Sequence, residues 1–174
     1  GALGEGNLKA LTVRQPWAWA IVEGFKDVEN RTWRTAHRGP LLIHAGKAFD
    51  DAGYLWIEEE VGLALPAKSE FLRGYIIGMA TVVDCIEESD SVWFTGPYGF
   101  VLEEMIRFKV ALAYRGMPGL FEVPEIRQWG SGSPIRSCRT SRPPTIRMSF
   151  WSSRGWFRQP RERGAPSISS PEFT

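Results

Sequence analysis

The sequence has few of the residues that define secreted, metal-dependent or membrane-spanning proteins. Only two cysteines occur in 174 residues, Cys85 and Cys138, and neither lies in a CxxC pair. We therefore expect no disulfide framework and no cysteine-based zinc site. The chain has no run of about 18 apolar residues, and its first ten residues lack the apolar stretch of a signal peptide. These absences predict a cytoplasmic protein without membrane contact.

The motifs of several common enzyme classes are also missing. No GxGxxG or GxxxxGK[S/T] phosphate loop occurs, and no serine lies in a GxSxG motif. The two histidines, His37 and His44, are seven residues apart and have no acidic pair at ligand spacing. We therefore predict no metal site and no cofactor.

Lysine is absent from the last 45 residues, and charge is distributed unevenly along the chain. Residues 1–129 contain 13 Lys and Arg against 18 Asp and Glu, a net charge of −5. Residues 130–174 contain eight Arg against two Glu, a net charge of +6, with ten Ser and six Pro. We therefore predict a flexible N-terminus over residues 1–7, one domain over residues 8–129 and an Arg/Ser/Pro-rich extension over residues 130–174.

The sequence leaves three interpretations of this extension open. Its composition is typical of a disordered segment. Arginine without lysine, together with Ser, Pro and Gly, is also what GC-rich DNA yields when it is translated in an unintended frame. The third alternative is a nucleic-acid-binding tail in which the arginines are interleaved with Trp151, Trp156 and Phe157.

The domain is predicted to be α+β, with short strands and two short helices. Strands are predicted from alternation or apolar runs, and helices from a 3.6-residue period. In chain order we predict a strand Leu8–Val13, a helix Pro16–Glu23, strands Asp27–Trp33 and Pro40–Gly46, a helix Phe49–Val61, and strands within Arg73–Glu88, Gly96–Phe108 and Gly119–Pro124. Short strands of mixed direction with glycines at the corners favour a small mixed β-barrel flanked by the helices.

The segment Gly24–Gly39, GFKDVENRTWRTAHRG, concentrates positive charge in a domain that is acidic overall. Alternation in the predicted strand places Glu29, Arg31 and Trp33 on one face. Either Glu29 and Arg31 form a structural salt bridge, or Glu29 orients Arg31 and Lys26 toward an anionic ligand. The acidic surface elsewhere favours the second interpretation, because it focuses phosphate onto this segment.

Further candidates lie beside the first predicted helix and strands. Arg14 and Gln15 immediately precede the helix, where backbone N–H groups favour anions; alternatively, Gln15 caps the helix. Trp17 and Trp33 either belong to the core or stack on a nucleic-acid base. Each of these residues therefore has a structural and a functional interpretation.

His44 and Tyr98 also have two interpretations each. His44 lies in an apolar strand, where a histidine is either a hydrogen-bonded core residue or a general acid or base. Tyr98 follows the turn residues Gly96 and Pro97, so it either packs at the turn or donates to a phosphate.

Five motifs together resemble the ASCH domain family. The most specific is GxKxxExR, whose four positions are filled by Gly24, Lys26, Glu29 and Arg31. The resemblance runs from about Leu8 to Glu125 and does not reach the extension. The five motifs are RQPWA at Arg14–Ala18, GFKDVENR at Gly24–Arg31, RGPLLIHA at Arg38–Ala45, YGFVL at Tyr98–Leu102 and GLFEV at Gly119–Val123.

This resemblance implies a PUA-like fold, a small β-barrel with a cleft between the barrel and the first helix. Members of the family mostly bind nucleic acid, often RNA. Some relatives cleave RNA, and some small bacterial relatives hydrolyse acylated cytidine. Those amidohydrolases carry a nucleophilic threonine where this chain has Glu29.

The sequence therefore supports two hypotheses for one cationic cleft. The first is a module that binds single-stranded RNA or a nucleotide, and the alternative is a hydrolase of RNA or of a modified nucleoside. A protein partner is a further alternative, and no oligomeric state is predicted. The binding residues would be Arg14, Gln15, Trp17, Lys26, Glu29, Arg31, Trp33 and Arg38. In the hydrolase, Lys26 and Glu29 would be the acid–base pair, assisted by Tyr98 or His44.

Overall fold

The computed structural model of the protein describes residues 7–124, in which six strands form one mixed sheet. The predicted extension over residues 130–174 lies outside the described residues. The elements in chain order are β1 (Leu8–Gln15), α1 (Trp17–Val22), β2 (Val28–Arg31), β3 (Gly39–Phe49), α2 (Asp51–Trp56), a π-helical turn (Ile57–Val61), a 3-10 turn (Lys68–Glu70), β4 (Tyr75–Ile86), β5 (Tyr98–Ala113) and β6 (Leu120–Val123).

The strand order in the sheet is β2-β5-β4-β3-β1-β6. β1 and β3 pair in parallel, and every other neighbouring pair is antiparallel. A parallel pair requires a crossover connection, which α1 and β2 supply here. The predicted α+β class with short flanking helices is therefore confirmed.

The predicted barrel is not confirmed. Within residues 7–124 the strand pairing forms an open series, with β2 at one end and β6 at the other. The sheet is nevertheless curled, as one hydrogen bond shows: Arg31 Nη2 on β2 donates to Thr12 O on β1 at 2.7 Å. Three strands lie between β2 and β1 in the sheet order. In a closed barrel, backbone hydrogen bonds would join the two edges of the sheet, whereas here a side chain bridges β2 and β1.

The second helix begins later than predicted. Phe49 belongs to β3 and pairs with Gln15 of β1, so it cannot start a helix. The helix instead begins at Asp51, because the Asp50 side chain accepts a hydrogen bond from Gly53 N at 2.9 Å and caps the first turn. The π-helical turn then ends at Gly62, whose φ of 77° is the left-handed conformation that glycine favours.

The main core lies between α1 and the face of the sheet that the helix covers. Ala18, Ile21 and Val22 of α1 are buried against this face. Gly78 of β4 permits the contact, because a Cβ there would collide with Val22 and with Ile106 O. The buried apolar side chains from the strands are Leu11, Val13, Leu41, Ile43, Ala45, Ile77, Ala80, Val82, Phe100 and Leu102. Fully burying one large apolar side chain contributes about 1.5–3 kcal/mol, so this core fixes the position of α1 on the sheet.

No helix in residues 7–124 combines the length and the apolar character that crossing a lipid bilayer would require.

Candidate functional site

Three tryptophans from distant parts of the chain meet at one cavity. Trp17 comes from α1, Trp56 from the end of α2 and Trp93 from the loop between β4 and β5. The ring centroids are 5.9 Å apart for Trp17 and Trp56, 6.4 Å for Trp17 and Trp93, and 5.7 Å for Trp56 and Trp93. They line a cavity of about 550 Å³, together with Lys26 and Glu29. We call this cavity the tryptophan pocket.

Asp50 fixes the position of Trp17 in this pocket. Trp17 Nε1 donates to Asp50 Oδ2 at 3.0 Å, while Oδ1 of the same carboxylate caps α2. Gly53 allows α2 to lie against the indole, because a Cβ at this position would come within 2.7 Å of Trp17 Cε2. One carboxylate therefore joins the first helix to the second and holds two walls of the pocket together.

These contacts also change the acidity of Asp50. The Gly53 N–H, above all, and then Trp17 Nε1–H and the charge of Arg14 lower the pKa of Asp50 below its usual value of 3.8. Partial burial acts in the opposite direction but does not cancel them. The carboxylate is therefore ionised at neutral pH and remains an acceptor for both partners.

Lys26 and Glu29 form the polar side of the tryptophan pocket, and Glu29 joins them to Arg31 outside it. Lys26 is 3% exposed, and its Nζ donates to Val28 O and to Glu29 Oε2, the latter at 2.7 Å. Glu29 is 7% exposed, and its Oε1 lies 3.1 Å from Arg31 Nη2. The Glu29–Arg31 pair anticipated from strand alternation is therefore present, and Glu29 also holds Lys26.

The geometry leaves part of Lys26 available to a ligand. An ammonium group has three N–H donors, and two of them are used on Val28 and Glu29. Nζ also lies 6.0 Å from the centroid of the Trp17 ring, within range of a cation–π contact. A buried charged group at the wall of a cavity is a candidate for ligand binding, because burial is otherwise unfavourable without a partner.

A second cavity, of about 1110 Å³, is lined by three cations. We call it the basic cavity. Arg31 reaches it from β2, Lys47 from β3 and Arg115 from the loop between β5 and β6. His44 also lines it; its Nε2 donates to Tyr114 O at 2.7 Å, and its Nδ1 is 3.2 Å from Thr12 Oγ1.

Three of the predicted site residues, Gln15, Arg14 and Trp33, line neither cavity. Gln15 is 1% exposed; its Oε1 accepts from Trp19 N at 2.9 Å, and its Nε2 donates to Leu72 O at 2.9 Å. These bonds match the capping interpretation of Gln15. Arg14 is exposed and acts on Asp50 through its charge. Trp33 packs edge-on against Phe100, at a centroid distance of 5.1 Å.

The structure does not bring all predicted residues into one cleft. Lys26 and Glu29 meet Trp17 in the tryptophan pocket, whereas Arg31 and His44 line the basic cavity. The remaining two line neither cavity. Tyr98 lies under the guanidinium of Arg34 at 5.7 Å, and Arg38 Nη2 is 3.4 Å from Asp84.

Sequence reasoning did not single out Trp56, Trp93, Lys47 or Arg115. Trp56 was assigned to the apolar stripe of a helix, and nothing local distinguishes Trp93. The one available signal was the high total of eight tryptophans in a chain of 174 residues. Within the described part of the chain, no three His, Cys, Asp or Glu side chains are placed to hold a metal ion.

Comparison with known proteins identifies the family. The model of the ASCH domain matches residues 11–114. "Activating signal cointegrator 1" from Homo sapiens is 28% identical over 131 residues, which are 65% of this chain and 22% of that protein. The protein of the same name from Mus musculus is 34% identical over 83 residues, 45% of this chain and 14% of that protein. The chain thus spans about a fifth or less of the curated relatives.

The solved structures that match the chain include that of ASCH from Zymomonas mobilis. It has a TM-score of 0.45 and 14% sequence identity, and the match covers 76% of this chain and 95% of that one. The family match covers more than half of the chain and includes Lys26, Glu29 and Arg31. The chain therefore belongs to the ASCH domain family.

Proposed function

We propose that the protein binds single-stranded nucleic acid, RNA above all, by holding one unstacked base in the tryptophan pocket. The observation that carries this proposal is the meeting of Trp17, Trp56 and Trp93 beside the buried pair of Lys26 and Glu29. Membership of a family that resembles nucleic-acid-binding domains agrees with it.

The aromatic walls suit a flat ring. Single-stranded RNA is recognised mainly through bases that leave the stack and lie on aromatic side chains. A cavity of about 550 Å³ is large enough for a base and its sugar, and smaller than a helical duplex requires. Trp56 and Trp93 meet at an interplanar angle of 70°, so a base that stacks on one ring meets the edge of the other.

The polar wall supplies hydrogen bonds to the edge of the base. The remaining N–H of Lys26 donates to a base carbonyl, and the carboxylate of Glu29 accepts from an exocyclic amino group. Because Glu29 is held by both Lys26 at 2.7 Å and Arg31 at 3.1 Å, these donors and acceptors are already oriented before the ligand arrives. A fixed donor beside a fixed acceptor favours a base that presents the complementary pair.

A comparison of two tryptophan variants tests the pocket. We expect Trp56→Ala to raise the Kd for a fluorescein-labelled single-stranded RNA about tenfold, since stacking on an aromatic side chain contributes about 1–3 kcal/mol. Trp19→Ala is the control, because Trp19 packs on Phe25 and Phe71 and does not line the pocket. Fluorescence anisotropy measures both. Equal affinities for the two variants, or no binding at low salt, would contradict the proposal.

The hydrolase is the second candidate, and one observation favours it: Lys26 and Glu29 form a buried ion pair at a cavity wall. The other two proposed catalytic residues, Tyr98 and His44, do not line that cavity. Incubation of the protein with RNA or with acylated cytidine, followed by chromatography, separates the two functions. A product that forms with the unaltered protein and not with Lys26→Met would establish an enzyme. Unchanged substrate would contradict the hydrolase and favour the binding function.

A further inference from the structure

The basic cavity has a different charge from the rest of the described chain. Residues 7–124 contain 12 Lys and Arg against 16 Asp and Glu, so this part of the protein is acidic. The cavity nevertheless has Arg31, Lys47 and Arg115 in its lining and no acidic side chain. Positive charge collected in a concave region attracts anions more strongly than the same charges spread over a surface.

Arg31 is a fixed donor with unused capacity in this cavity. Its Nη2 is bound to Glu29 Oε1 at 3.1 Å and to Thr12 O at 2.7 Å, which hold the guanidinium in place. Its Nε is buried and has no hydrogen-bond partner within the described residues. Buried donors without a partner are rare in native proteins, and a bound ion is one of the explanations for such a donor.

Lys47 and Arg115 add charge that the described part of the protein does not neutralise. Seven Lys and Arg side chains form ion pairs within residues 7–124, and these two are not among them. Both are exposed, so their side chains are free to move toward a ligand. Two mobile cations beside one fixed guanidinium make a suitable arrangement for binding phosphate oxygens.

The loop that carries Arg115 is held against β3. His44 Nε2 donates to Tyr114 O at 2.7 Å, immediately before Arg115. The next residue, Gly116, lies so close that a Cβ would come within 2.9 Å of both His44 Cε1 and Thr12 Oγ1. His44 is therefore a positioning residue for this loop, which accounts for a buried histidine in an apolar strand.

We propose that the basic cavity is a phosphate-binding site, in which Arg31 is the fixed contact and Lys47 and Arg115 close on the ligand. Its volume of about 1110 Å³ exceeds the space that one phosphate group needs. Three cations around a cavity of this size suit a di- or oligophosphate, either free or as the backbone of a nucleic-acid strand. The site is distinct from the tryptophan pocket, and Glu29 joins the two through Lys26 and Arg31.

Isothermal titration of the whole chain with inorganic pyrophosphate tests the site. We expect pyrophosphate to bind, and the double variant K47A/R115A to weaken binding about tenfold or more, because two charge-assisted contacts are lost. The matched control is R107A/K109A, which removes the same charge from exposed positions of β5 outside the cavity. We expect the control to change affinity by less than about twofold.

Two results would overturn the proposal. The first is no heat of binding to the unaltered protein at low salt. The second is an equal loss in K47A/R115A and R107A/K109A, which would mean that pyrophosphate responds only to overall charge. All four residues are exposed, so we expect both double variants to fold. The circular dichroism spectrum of each variant verifies its fold.

Competition assigns the source of the phosphate. If pyrophosphate displaces a bound RNA oligonucleotide, and K47A/R115A removes that competition, the strand places its backbone in the cavity. If pyrophosphate binds without displacing RNA, the site serves a free oligophosphate. The test is independent of base binding, because Trp56→Ala should weaken the affinity for RNA and leave the affinity for pyrophosphate unchanged. If the protein binds only one of the two ligands, the missing ligand identifies which proposal has failed.

Discussion

At the scale of single residues, Glu29 is the group that connects the two cavities. Its carboxylate holds Lys26, which lines the tryptophan pocket, and Arg31, which lines the basic cavity. Lys26 is almost completely buried, so its charge depends on this partner. Breaking a buried pair leaves an uncompensated charge, and that cost is much larger than the net stabilisation from the pair itself.

We therefore expect Glu29→Gln to lower the free energy of unfolding by about 3–5 kcal/mol, as measured by urea denaturation. The double variant Lys26→Met with Glu29→Gln should recover part of this loss, because no buried ammonium remains. Lys68→Ala, which breaks an exposed pair with Asp51 at 2.7 Å, should cost less than about 1 kcal/mol. A Glu29→Gln variant no less stable than Lys68→Ala would contradict the assigned role.

At the scale of elements, the position of α2 depends on its N-terminal cap. Asp50 accepts from Gly53 N at 2.9 Å and from Trp17 Nε1 at 3.0 Å, so it starts the helix and anchors it to α1. These two bonds are made by the ionised carboxylate and lower the pKa of Asp50 in the folded protein. The walls of the tryptophan pocket therefore depend on the protonation state of one residue.

This dependence predicts an effect of pH on stability. Because the pKa of Asp50 in the folded protein is below its usual value of 3.8, the ionised carboxylate stabilises the fold at pH values above 3.8. This contribution is lost as the pH falls through the lowered pKa. Asp50→Asn keeps a cap acceptor but removes the charge, so at pH 7 it should be less stable by about 1 kcal/mol. The difference should shrink as pH falls below about 4.

Urea denaturation of both proteins at several pH values measures this change. Asp51→Asn is the control, since it removes one negative charge from the same helical turn without touching Trp17. A stability gap between Asp50→Asn and the unaltered protein that stays constant down to acidic pH would show that the charge of Asp50 contributes nothing.

At the scale of the whole molecule, a curled open sheet places both cavities beside one short strand. β2 has only four residues, Val28–Arg31, yet it carries Glu29 and Arg31 and begins two residues after Lys26. Arg31 reaches across to Thr12 on β1, so the end strand β2 approaches β1, the strand next to the other end of the sheet. Three clusters of buried apolar side chains lie within residues 7–124.

From this core and from the composition of the extension, we expect deletion of residues 130–174 to leave the thermal unfolding midpoint unchanged. The same deletion removes a net charge of +6, so the affinity for RNA should become less dependent on salt. Differential scanning calorimetry and anisotropy titrations at two salt concentrations measure the two effects. A clear fall in the midpoint would mean that the extension packs on the domain.

Much of the local structure could be predicted from the sequence. The predicted strand Pro40–Gly46 and the predicted helix Pro16–Glu23 correspond to elements that the structure contains, and alternation predicted that Glu29 and Arg31 share a face. Element ends were less predictable. Asp50 is a local signal for the start of α2, but the assignment of Phe49 to β3 depends on pairing with Gln15, which is 34 residues away.

What the sequence by itself determined was the family, the α+β class and the charged motif, because these depend on residue types at short spacing. The tertiary structure decided which side chains share a cavity. Trp17, Trp56 and Trp93 meet only after the strands have paired, and the same pairing sends Lys26 to one cavity and Arg31 to the other. Strand order and sheet curvature arise from contacts between distant segments, and the periodicity of any one segment does not record them.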